Sequence, residues 1–174
     1  MRDSGAKTRL TGFAPKVDPG CRAVVLGSFP GIASLQAGEY YAHPQNLFWS
    51  LISDALKTDL TAAPFRVRYE RLLAHGIGLW DVFETCERQG SLDQSIKAEQ
   101  SAQLDLLPEI APRLEMLLLN GRKAQVGARR ALSKENRQKL QLIDLPSTSP
   151  ANASIPRIEK KQAWAAALSL AIRE

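Results

Sequence analysis

The chain has 174 residues, 44% of them hydrophobic, 24% charged and 6% aromatic, which fits one compact globular domain with an ordinary core and argues against two. Lys and Arg total 23 against 18 Asp and Glu, a formal charge of +5 that favours polyanionic partners. No apolar run nears the roughly 18 residues of a membrane span, no apolar signal stretch follows Met1, and two cysteines (Cys21, Cys86) with two histidines (His43, His75) supply neither a zinc ribbon nor an iron–sulfur ligand set. A reduced, metal-free, cofactor-free cytoplasmic protein is expected.

Residues 1–20 mix Lys, Arg, Gly and Pro without periodicity and read as an irregular lead-in to a domain over 1–174. Arg22–Leu26 is a short apolar run ended by Gly27, the pattern of a buried strand feeding a loop. The loop from Gly27 to Gln45 is long and rich in Gly and Pro, and loops of such length in compact domains tend to be functional. From Asn46, apolar residues recur at helical spacing through Leu56, and a second amphipathic helix follows near Pro64–Ala74, stopped by Gly76. Gly76–Trp80 reads as a second strand ending at Asp81, before a polar segment. A helix near Ser101–Ile110 precedes a third strand, Leu114–Leu119, then a basic helix, a fourth strand at Leu140–Leu145, and a closing Ala- and Leu-rich helix from about Pro156.

The order β-α-β-α-β-α-β-α predicts an α/β fold: a central four-stranded parallel sheet in a three-layer α/β/α sandwich. In such sheets ligands bind outside the carboxyl ends of the strands. Three of those ends carry unusual residues here: Gly27–Gly31, Trp80-Asp81 and Pro146–Asn152.

Each junction admits a bland and a chemical account. Gly27-Ser28-Phe29-Pro30-Gly31 is either a turn needed for geometry or a concave row of backbone donors. It is no nucleophile elbow, since the serine holds the wrong place of a GxSxG pattern, and no phosphate loop, since no Gly-Lys-Ser/Thr follows. In His43-Pro44-Gln45-Asn46-Leu47-Phe48-Trp49, Asn46 can cap the helix, orient a water molecule, or do both, and His43 is a hydrogen-bonded structural residue or a base. Pro146–Asn152 is a solvated turn capping the next helix or a phosphate-binding loop. Behind it, Arg157, Lys160 and Lys161 on the last helix, with Arg122, Lys123, Arg129 and Arg130 on the preceding one, suggest a phosphate-tracking surface.

Read together, Gly27–Gly31 continuing through Tyr40-Tyr41-Ala42-His43-Pro44-Gln45-Asn46-Leu47-Phe48-Trp49, Leu79-Trp80-Asp81-Val82-Phe83, and Pro146–Asn152 resemble the uracil-DNA glycosylase superfamily, especially its hypoxanthine-DNA glycosylase branch. The resemblance runs from the first strand to the last helix. It implies a monofunctional hydrolase that flips a deaminated base out of DNA and cuts its glycosidic bond, most specifically hypoxanthine from deoxyinosine, with DNA as partner, no membrane, and a monomer. It assigns Asn46 to catalysis, Gly27, Ser28, Phe29, Tyr41 and Asp81 to the base, and Ser147, Thr148, Ser149, Pro150, Ala151, Asn152 and Arg157 to DNA. The pattern departs where the uracil branches carry a water-activating Asp or Asn in the first motif: Phe29 stands there, able to stack but not to polarise water. Ala151 and Ser147 replace the bulky wedge and the His of some relatives. Asp81 replaces an amide and, if ionised, offers acceptors alone. A uracil-directed glycosylase and a catalytically silent lesion-binding module are the competing readings.

Overall fold

The structure is a computed structural model and describes residues 8–89 and 92–172. In chain order the elements are β1 (Arg9–Thr11), β2 (Ala23–Gly27), α1 (Ile32–Ala37), α2 (Phe48–Leu56), α3 (Phe65–Ala74), β3 (Ile77–Asp81), β4 (Phe83–Glu87), β5 (Lys97–Ser101), α4 (Leu107–Ile110), β6 (Met116–Asn120), α5 (Arg122–Ala131), α6 (Lys134–Lys139), β7 (Gln141–Leu145) and α7 (Arg157–Ala171).

The four apolar runs expected as strands form the central sheet in the order β3-β2-β6-β7, every neighbouring pair parallel. Along β2, alternation divides the core. Ala23 and Val25 face a cluster built on Phe48, Trp49, Leu72, Trp164 and Leu168 from α2, α3 and α7, whereas Val24 and Leu26 face Leu107, Ala124 and Ala128 from α4 and α5. Each β2 side chain is buried, so both faces of the sheet need cover, and the apolar run is continuous and not alternating with polar residues. The result is the three-layer α/β/α architecture anticipated above.

Four expectations need correction. Residues 1–20 are not wholly irregular: β1 pairs antiparallel with β4, and Lys16 bridges Leu79 at the edge of the central sheet. The polar segment after Asp81 contributes β4 and β5, which complete a small antiparallel sheet in the order β1-β4-β5. The loop from Gly27 to Gln45 contains the short helix α1. Ser101 closes β5, and the helix expected at Ser101–Ile110 shrinks to a 3₁₀ turn at Leu104–Leu106 running into α4. β1 and β5 have no buried residue, so neither carries an apolar pattern; their place is decided by pairing with β4.

The helix α5 approaches the sheet closely through Gly127. A Cβ there would fall 2.7 Å from Val82 and 2.8 Å from the Phe83 ring, side chains that lead from β3 into the antiparallel sheet. Gly127→Leu is therefore expected to cost about 1–3 kcal/mol through overpacking, read as a lowered denaturation midpoint.

Candidate active site

The strand carboxyl ends converge because the parallel register places Gly27 beside Asp81. A Cβ at Gly27 would lie 2.5 Å from Asp81 Oδ1 and 3.1 Å from the Tyr41 hydroxyl, so only glycine leaves room for both. The ladder then continues into the loop, with the Val82 and Phe83 amides donating to the Gly27 and Ser28 carbonyls. Ser28 donates its hydroxyl to Asp93 Oδ1 at 2.5 Å, and Arg88 donates to the Pro30 carbonyl while standing 5.3 Å from the Phe29 ring centre. These bonds hold the Gly27–Gly31 segment against the antiparallel sheet.

The segment forms one wall of a pocket of about 280 Å³. Of the residues assigned to the base, Gly27, Ser28, Phe29, Tyr41 and Asp81 all line it. Asn46 and His43 line it from the loop entering α2. The Asn46 Oδ1 accepts the Phe48 amide at 2.9 Å, so this side chain both caps the first turn of α2 and borders the pocket. His43 is exposed, and its Nδ1 accepts the Gln45 amide at 3.1 Å.

Tyr41 has a left-handed backbone, φ 54°, uncommon for a residue with a bulky side chain. Its ring stacks on Phe48 with centres 4.1 Å apart. Its hydroxyl is buried beside the Asn120 side chain, and burial pushes its pKa well above the usual range, with the Asp81 charge adding to the rise and Asn120 opposing it.

Asp81 is 5% exposed, and its Oδ2 likewise lacks a partner among the described residues. Burial pushes the carboxyl up to about 7, the negative charge of Asp93 adds to the rise, and Arg88 opposes it. Asp93 is itself raised, chiefly by burial, against the pull of the Ser28 hydroxyl and the Arg88 and Lys123 charges.

The opposite wall is the loop after β7. Ser147, Thr148, Ser149, Pro150 and Ala151 reach the pocket, whereas Asn152 lines only an adjoining cleft of about 690 Å³, beside Arg122 and Lys123. Arg157 borders neither; it is exposed at the start of α7. Thr148, expected at the DNA surface, is 1% exposed and turned inward: Asn120 Nδ2 donates to its hydroxyl at 3.1 Å, and its amide donates to Asn120 Oδ1 at 3.0 Å. Its carbonyl accepts the Leu47 amide at 3.0 Å, tying this loop to the turn that carries Asn46.

The basic surface is smaller than the sequence suggests. Lys160 is buried and donates to the Asn152 carbonyl, Lys161 pairs with Asp54, Lys123 with Glu99 and Arg129 with Asp144. Arg122, Arg130 and Arg157 remain exposed. Among the described residues there is no group of three or more His, Cys, Asp or Glu placed to hold a metal ion, and no helix is long and apolar enough to cross a membrane.

A family model described as the Uracil DNA glycosylase superfamily matches residues 14–169. The chain belongs to that superfamily. Within it, the chain is 40% identical over 113 residues to a hypoxanthine DNA glycosylase from Methanosarcina barkeri, and 35% identical over 113 residues to one from Methanosarcina acetivorans; each match covers 65% of this chain and 72% of the relative. The solution NMR structure of a candidate uracil DNA glycosylase from Methanosarcina acetivorans superposes with a TM-score of 0.81 at 30% identity, over 92% of this chain and 97% of that one.

Sequence reasoning missed Asn120 and Asp93, which line the pocket, and Arg88, whose charge acts on its carboxyls. Asn120 ends the apolar run of β6, and a lone amide at a strand's carboxyl end is a signal that could have found it. Asp93 and Arg88 lie in polar sequence with no pattern to single them out; β4 and β5 bring them in.

Two outcomes follow from this geometry. Asn120→Ala leaves the buried Thr148 amide and hydroxyl without their partner and should lower stability by about 1–3 kcal/mol in chemical denaturation. Because the folded state holds the Asp81 proton more tightly than the unfolded chain, whose carboxyl titrates near 3.8, the folded protein binds more protons between about pH 4 and 7. The stability of the parent relative to Asp81→Asn should therefore fall as pH rises through that window and level off above it, checked by paired thermal melts.

Proposed function

We propose that this protein is a monomeric cytoplasmic DNA repair glycosylase that removes hypoxanthine from deoxyinosine by hydrolysis, leaving an abasic site. The observation that carries the reading is one pocket, at the carboxyl ends of a parallel sheet, bordered by the Asn46 carboxamide that accepts the Phe48 amide, a buried carboxyl and an aromatic ring. The relatives named hypoxanthine DNA glycosylase support the choice of base.

A base inside a duplex is out of reach, so the target nucleotide must leave the stack at a cost of a few kcal/mol, least for a mispaired base. Phe29, at the pocket wall, offers a stacking partner worth about 1–3 kcal/mol to the everted purine. The C1′–N9 bond then breaks with its electron pair remaining on the base. Water adds its oxygen to the oxocarbenium-like C1′; one of its protons ends on the base and the other stays on the new sugar hydroxyl. Asn46 Oδ1 has two lone pairs, one taken by the Phe48 amide and the other available to hold that water. An amide is a poor base, so the acceleration comes from placement and from stabilising the charge on the departing purine. Backbone amides of Gly27–Gly31 are assigned to that charge. Among the described residues no lysine lines the pocket, which favours water as nucleophile over a Schiff base.

Outside the pocket, the exposed Arg122 beside the adjoining cleft and Arg157 at the start of α7 are assigned to flanking phosphates, with Ser147, Ser149, Pro150, Ala151 and Asn152 meeting the strand. The inward-turned Thr148 acts by holding the loop.

Asn46→Ala should lower single-turnover excision of hypoxanthine by about 10²–10³-fold while leaving affinity for the same duplex within about threefold. Oligonucleotides carrying hypoxanthine, uracil or xanthine, scored for strand breakage after hot alkali, test the activity itself. Release of uracil alone would establish the uracil-directed reading, and binding without breakage would establish a silent lesion-binding module.

A further inference from the structure

Two carboxyl groups, the buried Asp81 and the half-buried Asp93, line the same pocket, and Arg88 is the cation that acts on both. They differ in their surroundings. Asp93 accepts the Ser28 hydroxyl and feels the positive charges of Arg88 and Lys123. Asp81 is nine-tenths buried, leaves Oδ2 without a hydrogen bond among the described residues, and packs its Oδ1 over the bare Cα of Gly27. The other titratable groups facing it are Tyr40 and Tyr41, whose phenols are held neutral by burial, with the Asp81 charge itself opposing their ionisation. Asp93 has the Ser28 hydroxyl, Arg88, Lys123 and partial exposure to carry its charge, whereas Asp81 has only its share of Arg88, so of the two it is Asp81 whose ionisation leaves a poorly compensated buried charge.

We propose that Asp81 meets the flipped base as a neutral carboxylic acid, its O–H donating to O6 of hypoxanthine while its carbonyl oxygen accepts N1–H. The inference rests on the glycosylase reading above and specifies how that site reads its substrate. A carboxylate could accept N1–H but would turn a lone pair toward O6. It would also stand, beside Asp93, against the negative charge that the breaking bond sends onto the base. The neutral acid does the reverse, because its hydrogen bond to O6 strengthens as that charge develops. The proton stays on Asp81 through the step; the base takes its own from the added water.

The recognised feature is thus the lactam edge, C=O beside N–H, which hypoxanthine, xanthine and uracil share. A neutral acid can also pair the amidine edge of adenine by exchanging donor and acceptor. Protection of normal adenine then falls to the cost of extracting a paired base from the stack.

The test is single-turnover excision from deoxyinosine- and deoxyuridine-containing duplexes between pH 5.5 and 9, for the parent, Asp81→Asn and Asp81→Ala. In the parent the rate should be highest at low pH and fall toward tenfold per pH unit above about 7, as the acid ionises. Asp81→Asn keeps one donor and one acceptor without a titration, so it should retain excision within about tenfold of the parent's maximum and lose that fall. Asp81→Ala should stay more than about a hundredfold below the parent's maximum at every pH. Difference infrared spectra of the parent against Asp81→Asn give a readout independent of turnover: a protonated-carboxyl band that disappears over the same pH range as the activity. A parent rate that is flat or rises from pH 6 to 9, or the absence of that band at pH 6, would overturn the neutral-acid assignment while leaving the glycosylase reading intact. No excision of either base by the parent at any pH would overturn both.

Discussion

The parallel register of β2 and β3 sets Gly27 against Asp81, and the missing side chain at Gly27 lets a carboxyl group sit where a Cβ would otherwise be. The environment of that carboxyl follows from the packing. Burying the carboxyl deprives it of water, so its charged form is penalised, and the same bare Cα leaves room for the Tyr41 hydroxyl. The chain turns at Val82 from the parallel sheet into the antiparallel one, so Asp81 stands where the two sheets part. That second sheet delivers Arg88 and Asp93, which set the charge balance around Asp81.

The facing wall is held with equal care. Asn120 makes a reciprocal pair of hydrogen bonds to Thr148, the Trp164 indole donates to the Pro146 carbonyl at 2.9 Å, and Lys160 donates to the Asn152 carbonyl. The loop after β7 is therefore fastened at its start, middle and end by β6 and α7. Through the Leu47–Thr148 bond the Asn46 turn is fastened to it as well. A site that must hold one water molecule beside one sugar carbon gains from such fixation, since errors of about 1 Å in placement cost large factors in rate.

Charge is distributed with a division of labour. Several of the cations that make the chain basic are consumed inside the protein, in ion pairs to Asp54, Glu99 and Asp144 and in the Lys160 bond. The more exposed of these pairs, Lys161–Asp54 and Arg129–Asp144, add little stability, but all of these contacts remove positive charge from any DNA-facing surface. Under the proposed reading, affinity for the polyanion rests on a few exposed arginines outside the pocket, Arg122 at the adjoining cleft and Arg157 at the start of α7, and selection between sites rests on what happens inside the pocket.

The amino-acid sequence by itself determined the four strands of the central sheet, the helices α2, α3, α5 and α7, and the placement of glycine, Asp81 and the Pro146–Asn152 loop at strand ends, because burial imposes an apolar run on β2, β3 and β6 and a partly apolar one on the edge strand β7, and because turn residues end each run. Its spacing also carried Asn46 to the head of α2. What only the tertiary structure decided was everything governed by pairing between distant segments. β1 and β5 have no buried residues to announce them, and Asp93 and Arg88 look like solvated polar sequence until the antiparallel sheet brings Asp93 to the pocket and Arg88 behind its Phe29-Pro30 wall. Thr148 looks like a surface hydroxyl until Asn120 claims it. The upward shift of the Asp81 carboxyl belongs to the same class: it depends on a desolvation and a neighbouring charge that exist only once strands far apart in the chain lie side by side.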